Sequence, residues 1–373
     1  MSRYKAGIMK PGFDPLATVA PGIYYNTLWL WGGSSSGTLA LNDIIPRSSP
    51  VQVGTSNNWT TAALGGSFGC GIKNDGTLWT WGTNANGQLG QNDVVVRSSP
   101  VQVGSLTNWS NISAGSQHTV AIKTDGTIWG WGTNASGQLG QNDVVVRSSP
   151  TQIGADTNWS NISAGNSFTA AIKSNGTLWT WGYASALGVS ASGDISSPTQ
   201  VGASTNWSSV FCVGGVSALA IKTDSTLWGW GVNASGVLGL NDATDRNTPV
   251  QIGALNNWLS VSVAFRSAAA IKTDGTLWVW GLNTYGQLGQ NDTVTRSSPT
   301  QVGTSTDWLT AASQYYTSSA IKTDGTLWSW GYNTNGNMGS GNIIPYSSPI
   351  QIGNQSWSKL VQTKFSQTNG AMQ

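Results

Sequence analysis

The segment Thr-Leu-Trp-x-Trp-Gly recurs seven times in this chain, beginning at Thr27, Thr77, Thr177, Thr226, Thr276 and Thr326, with Ile replacing Leu in the copy at Thr127. The steps between copies are 50, 50, 50, 49, 50 and 50 residues. A fixed period of that length means a supersecondary unit that cannot bury its apolar face alone and stacks on copies of itself, as propeller blades or solenoid turns do. The repeat absorbs all 21 tryptophans: two in each Trp-x-Trp, and one each at Trp59, Trp109, Trp159, Trp207, Trp258, Trp308 and Trp357. A length of 373 residues would otherwise suggest two or three domains. No aperiodic stretch is long enough for a second one, so the chain divides into residues 1–26 and a repeat domain over residues 27–373.

One repeat shows what the unit is. Trp109 to Ala114 alternates apolar and polar residues, as a strand does. Gly115 and Ser116 break it, and His118 to Lys123 reads as a second strand. Asp125-Gly126 is the two-residue signal of a tight hairpin, whose centre needs positive φ. Thr127 to Trp131 is the third strand, and Trp129 and Trp131, two apart, share one of its faces. A loop rich in Gly and Asn follows over residues 132–142, and after Arg147-Ser-Ser-Pro150 comes a short fourth strand at Thr151 to Ile153. Four short strands without helical period read as one propeller blade. The expected fold is therefore all-β, a seven-bladed β-propeller with four strands per blade. The first Trp-x-Trp strand, with Trp29 and Trp31, lacks its two preceding strands. Trp357-Ser-Lys-Leu-Val resembles Trp109-Ser-Asn-Ile-Ser, and residues 365–372 fall where the other missing strand belongs. The ring should close with N- and C-terminal strands in one blade, leaving no exposed sheet edge between the ends. The match after Val361 is poor, so that second strand is expected to be irregular.

These motifs resemble the regulator-of-chromosome-condensation repeat: a Trp-Gly strand end, a Gly-x-Leu-Gly loop, a Pro, then an Ala-Gly-x-x-His turn. Here they read WGTNASGQLGQND, RSSPTQIG and SAGNSFTAAIK, and the resemblance covers residues 27–373. Leu-Gly-Gln-Asn-Asp stands where many members have Leu-Gly-x-Gly-Asp, and Asn tolerates a left-handed turn position. The family His survives only at His118, with Phe68 and Phe168 in neighbouring copies. The copy at residues 181–198 has lost two residues and its Arg. The resemblance implies a seven-bladed propeller but no single activity. Members include an exchange factor for a small GTPase, a β-lactamase-inhibiting propeller and a plant ultraviolet photoreceptor. The Gly-Trp-Arg-His-Thr motif and Arg-rich face of the photoreceptor are missing, as are the recognisable features of the exchange factor.

Composition narrows the chemistry. Net charge is +2, only 9% of residues are charged, and all fifteen acids are Asp. No basic run marks a nucleic-acid face. Ten of the Asp fall at two repeated positions, the hairpin turn (Asp75, Asp125, Asp224, Asp274, Asp324) and the loop after the third strand (Asp43, Asp93, Asp143, Asp242, Asp292). Turn formation explains them better than Ca²⁺ ligation or catalysis. One His and two separated Cys make no zinc site, and Cys70 and Cys212 read as buried thiols, not a disulfide. No catalytic residue, cofactor or metal is expected. Lys73, Lys123, Lys173, Lys222, Lys272 and Lys322 recur, and a solvated rim is preferred to a site for an anionic partner. Arg47, Arg97, Arg147, Arg246 and Arg296 either anchor the long loops through backbone carbonyls or face a partner. Trp rings stack on sugars, but a Trp at every repeat reads as packing between blades. The Asn-x-Ser/Thr triplets are a by-product of the repeat.

Residues 1–26 are the one stretch outside it. They carry no secretory pattern, and no apolar stretch of the chain reaches the ~20 residues of a membrane-spanning helix. They mix basic and aromatic groups with Pro11, Pro15 and Pro21, which resembles the N-terminal anchors of phage virion proteins. Tyr4, Ile8 and Phe13 are the expected anchoring contacts to other virion or assembly proteins. The expectation is a non-enzymatic propeller displayed on a virion surface or tail, with loops free for a host-surface ligand. The alternatives are a bacterial protein-binding module in the cytoplasm, similar to an inhibitor propeller, and a glycan-binding lectin.

Overall fold

A computed structural model describes residues 26–373, apart from positions 213 and 215 and the side chain of Gln362. Among the described residues there is no α-helix, only strands, turns and three single-turn 3₁₀ segments. The strands form seven antiparallel four-stranded sheets, one of which gains a fifth strand. In the third blade the strands are Trp109–Ala114, His118–Lys123, Ile128–Gly132 and Arg147–Gln152. They pair in sequence order, and the other blades except the first repeat the scheme at nearly the same spacing.

The first strand of each blade lies nearest the axis. Its free edge meets the first strand of the next blade, where Ser113 Oγ accepts the Ala164 N–H at 3.0 Å and Ser163 Oγ accepts the Cys212 N–H at 2.8 Å. A side chain of one blade thus satisfies a backbone donor that the neighbouring sheet leaves open.

The tryptophans explain why the sheets stack as they do. The second Trp of each Trp-x-Trp is fully buried. Its indole N–H reaches back into the preceding blade: Trp131 donates to the Gln88 carbonyl and Trp181 to the Gln138 carbonyl, both at 2.9 Å. The same bond crosses the seam, where Trp31 donates to the Asn337 carbonyl at 2.9 Å. Gly90, with φ +70°, must approach within this contact, since a Cβ there would lie 2.8 Å from the Trp131 nitrogen. Trp109 packs edge-on against both Trp129 and Trp131, with centroids 6.1 and 6.0 Å apart, as two residues on one strand face allow.

The expected closure is present. Leu28–Gly32 pairs with Thr368–Met372 on one side and with Arg47–Gln52 on the other, and Lys359–Leu360 completes that blade. The irregularity expected after Val361 has a definite form. Gln362–Thr363 leaves its own blade and pairs in parallel with Ala63–Leu64, the first strand of the next. Lys364 then reaches across the axis. Its Nζ donates to Ser163 Oγ at 2.7 Å and to the Ala164 carbonyl at 3.0 Å, both in the fourth blade. Its own carbonyl leaves no room for a side chain at Gly214 in the fifth. The C-terminal segment fills the centre of the ring before returning as the missing strand.

Candidate functional site

The repeated charged residues are consumed by the fold. In the hairpin turn Asp125 Oδ1 accepts the Thr127 N–H and, at 2.6 Å, the Thr127 hydroxyl, which in turn accepts the Trp129 indole N–H at 2.9 Å. In the long loop Asp143 Oδ1 accepts the Val145 N–H, and Oδ2 pairs with Arg147 at 2.6 Å while that Arg also donates to the Val145 carbonyl. Five blades carry this Asp–Arg clamp. The backbone N–H and then the Arg hydrogen bond hold Asp143 below the usual carboxylate range against some desolvation. Both turn formation and loop anchoring by Arg are thereby seen.

The lysine ring differs from the expected solvated rim. Lys123 Nζ sits 3.6 Å from the Trp129 ring centroid and 4.9 Å from that of Trp109, and the Lys side chain is nearly buried. The ammonium is held against indole faces instead of turning to water. All six of these lysines stack this way. Desolvation lowers the Lys123 pKa, partly offset by Asp125. Cys70 and Cys212 are buried free thiols, and burial pushes both upward.

What the repeat does not consume lies on blades six and seven. In blades two to four the turn between the first two strands reads Gly-Gly-Ser-Phe, Gly-Ser-Gln-His and Gly-Asn-Ser-Phe, starting at Gly65, Gly115 and Gly165. The last residue fills the core, and the leading Gly makes room for it: a Cβ on Gly65 would lie 2.1 Å from the Phe68 ring. Blades six and seven invert this, with Ala264-Phe-Arg-Ser267 and Gln314-Tyr-Tyr-Thr317. The small residue goes inside and the aromatics move onto the turn. The adjoining loops add Tyr285 and Tyr332. The result is one continuous cluster: Tyr315–Tyr316 at 4.4 Å between centroids, Phe265–Tyr315 at 4.9 Å, Tyr285–Tyr316 at 4.8 Å and Tyr285–Tyr332 at 5.1 Å. Desolvation, then neighbouring Tyr315, raises the Tyr316 phenol above its ordinary value.

Arg266 lies over the Phe265 ring at 5.1 Å. Among the described residues it is the one arginine without a carboxylate partner. The two turns of the cluster contain no acid, and Asp292, in the loop that carries Tyr285, is already paired with Arg296. Behind the rings, Gln314 lines a crevice with Tyr316, Tyr332, Gln367 and Asn369. Gln314 is 1% exposed, yet neither end of its amide has a protein partner. Further out on the same face, the loop tips Ile44, Val94, Val144 and Ile343 are 60–68% exposed, more apolar surface than loops of this kind need.

None of these cluster residues was expected from the sequence. The available signal was the exchange of large for small within an aligned turn, which a reading based on shared features passes over. The expected anchors Tyr4, Ile8 and Phe13 lie outside the described residues.

The fold has known counterparts. Human WBSCR16 superposes with a TM-score of 0.81 at 19% identity, covering 93% of this chain and 98% of that one. Prp20p of Saccharomyces cerevisiae, in a structure described with its binding to Gsp1p and histones, gives 0.81 at 17% identity over 94% and 92%. Yeast RCC1 (Prp20) bound to Kap60 gives 0.83 at 17% identity over 100% and 94%. At these identities the likeness is one of fold. No curated protein sequence matches the chain. The family model of the RCC1-like domain matches residues 27–368, nearly the whole repeat, and the chain belongs to that family.

Proposed function

We propose that this chain is a non-enzymatic recognition propeller carried on a larger assembly, a virion surface or tail, with residues 1–26 as the tether. The observation that carries the reading is the placement of the two ends of the blade. Asn26 forms a bridge with Asn58, whose carbonyl accepts the Asn74 N–H, so the chain enters beside the hairpin turns. The aromatic cluster and the exposed aliphatic tips belong to the turns and loops at the opposite end, where the Thr133 N–H meets the Gln117 carbonyl. A tether on one face leaves the other face outward. The consumption of the repeated Asp, Lys and Arg by turns, rings and loop clamps supports recognition over chemistry, since it leaves no convergent acid and base among the described residues. Relatives of this fold described with protein partners support binding as its mode of action.

The test is a chain beginning at Gly22, compared with the full chain in particles purified from the source and analysed by mass spectrometry. The shortened chain should keep its thermal transition and be missing from particles. Normal incorporation would move the docking surface onto the blades. Absence of the full chain from any particle would leave the free protein-binding module as the better reading.

A further inference from the structure

We infer that the cluster on blades six and seven binds an acidic saccharide, its carboxylate on Arg266 and a pyranose face on Tyr285, with Tyr316 between them. This rests on the reading of that face as the recognition face and specifies its ligand. Three observations converge. First, the rings run in contact from Phe265 through Tyr316 to Tyr285, with centroid steps of 6.1 and 4.8 Å. Successive ring planes turn by 83° and 54°, so the rings form a faceted wall, and Tyr285, 43% exposed at its outer end, is the most open facet for a sugar ring about 5 Å across. Second, Arg266 is an exposed guanidinium fixed over Phe265 with no carboxylate of its own, in a chain where the other described arginines are each clamped by Asp. A planar fork already oriented by a ring is suited to bidentate pairing with a carboxylate. Third, the tyrosine hydroxyls supply neutral donors and acceptors beside the rings, as sugar hydroxyls require.

A peptide fits less well. Backbone groups of the two turns are paired internally: the Ala264 N–H with the Ser267 carbonyl, the Gln314 N–H with the Thr317 carbonyl, and the Leu282 N–H with the Arg266 carbonyl. The cluster offers no open strand edge to an extended main chain.

The experiment titrates the intact protein with oligogalacturonate and sialyllactose, with lactose and an acidic peptide as comparators, by calorimetry and by NMR of the tyrosine rings. A carboxylated sugar should bind at least ~10-fold more tightly than lactose, a gap that shrinks with salt. Arg266→Gln should abolish that preference while keeping weak neutral-sugar binding. Tyr285→Ala should weaken both sugars about 10-fold or more. Thermal transitions of both variants should match the parent, since both side chains are exposed. The assignment fails if no sugar binds at millimolar concentration, if both variants bind like the parent, or if the peptide binds more tightly than every sugar. Each of those results is independent of whether the Gly22 chain enters particles, so failure of the ligand and failure of the mounting are separable.

Discussion

The seven Trp-x-Trp pairs place two chemically identical residues in different surroundings. Trp131 is wholly buried and bonded to the preceding blade, whereas Trp129 is partly exposed, bonded to Thr127 and capped by Lys123. Trp131→Ala should destabilise by roughly 3–5 kcal/mol through cavity and lost bond, and Trp129→Ala by about 1–2 kcal/mol. Urea titration distinguishes them, and equal losses would place the inter-blade bond outside the stability of the ring. His118 gives a prediction of pH dependence. Desolvation, then the Lys364 charge, lowers its pKa from 6.5 to about 3. Between these values the unfolded chain binds the extra proton, so acidification through the window destabilises the fold. His118→Phe places there the residue that Phe68 and Phe168 supply in neighbouring blades. It should be favoured increasingly as pH falls, by roughly 2–3 kcal/mol at pH 4 relative to pH 7. A constant difference between variant and parent across that range would mean the imidazole is already solvated.

At the scale of elements, the strands were legible because each carried its own signals: alternation, an Asp-Gly turn, a Pro-bearing outer strand. The C-terminal segment was legible only at its ends. Trp357 and residues 368–372 obey the repeat, but Gln362 to Gln367 answer to the shape of the space at the axis, which no local pattern encodes. Lys364 shows the consequence, an ammonium bonded to a hydroxyl and a carbonyl where a repeat-based reading has no place for a charge. Burial lowers its pKa from 10.5 to about 8, with the Cys212 thiol opposing. At this group the unfolded state therefore holds the extra proton between about pH 8 and 10.5, so the parent should gain stability relative to Lys364→Met as pH rises through that interval, whatever the buried thiols contribute to both. Lys364→Met should remove this gain while leaving the seven sheets intact by circular dichroism. A variant whose pH profile still rises like the parent's would show that the ammonium reaches water. The aromatic cluster was illegible for the opposite reason: Phe265, Tyr315 and Tyr316 sit at ordinary turn positions, and their meaning lies in which neighbours they exchanged size with.

At the scale of the molecule, the closure sets how the ring resists opening. Junctions between blades rest on side-chain packing, the Trp-to-carbonyl bond and isolated backbone bonds such as Asn92 N–H to the Ser148 carbonyl, whereas the two ends of the chain are joined inside one blade by the continuous ladder between Leu28–Gly32 and Thr368–Met372. The ends of the described chain already meet, the Gln373 N–H donating to the Thr27 carbonyl at 3.2 Å. A circular permutant can therefore join residue 373 to residue 26 and open the chain at the exposed turn after Gly104, where a side chain would meet nothing. Every blade would then be one continuous stretch, and the new seam between blades two and three would lack a shared sheet. The permutant should fold, because no contact within a blade is lost. It should melt at least ~4 °C below a parent shortened to the same residues, and begin to exchange amide protons first in the blades flanking the new opening. If instead its transition coincides with the parent's, the stitched blade is a consequence of where the chain starts, and the lateral packing of Trp on carbonyl is sufficient to hold the ring.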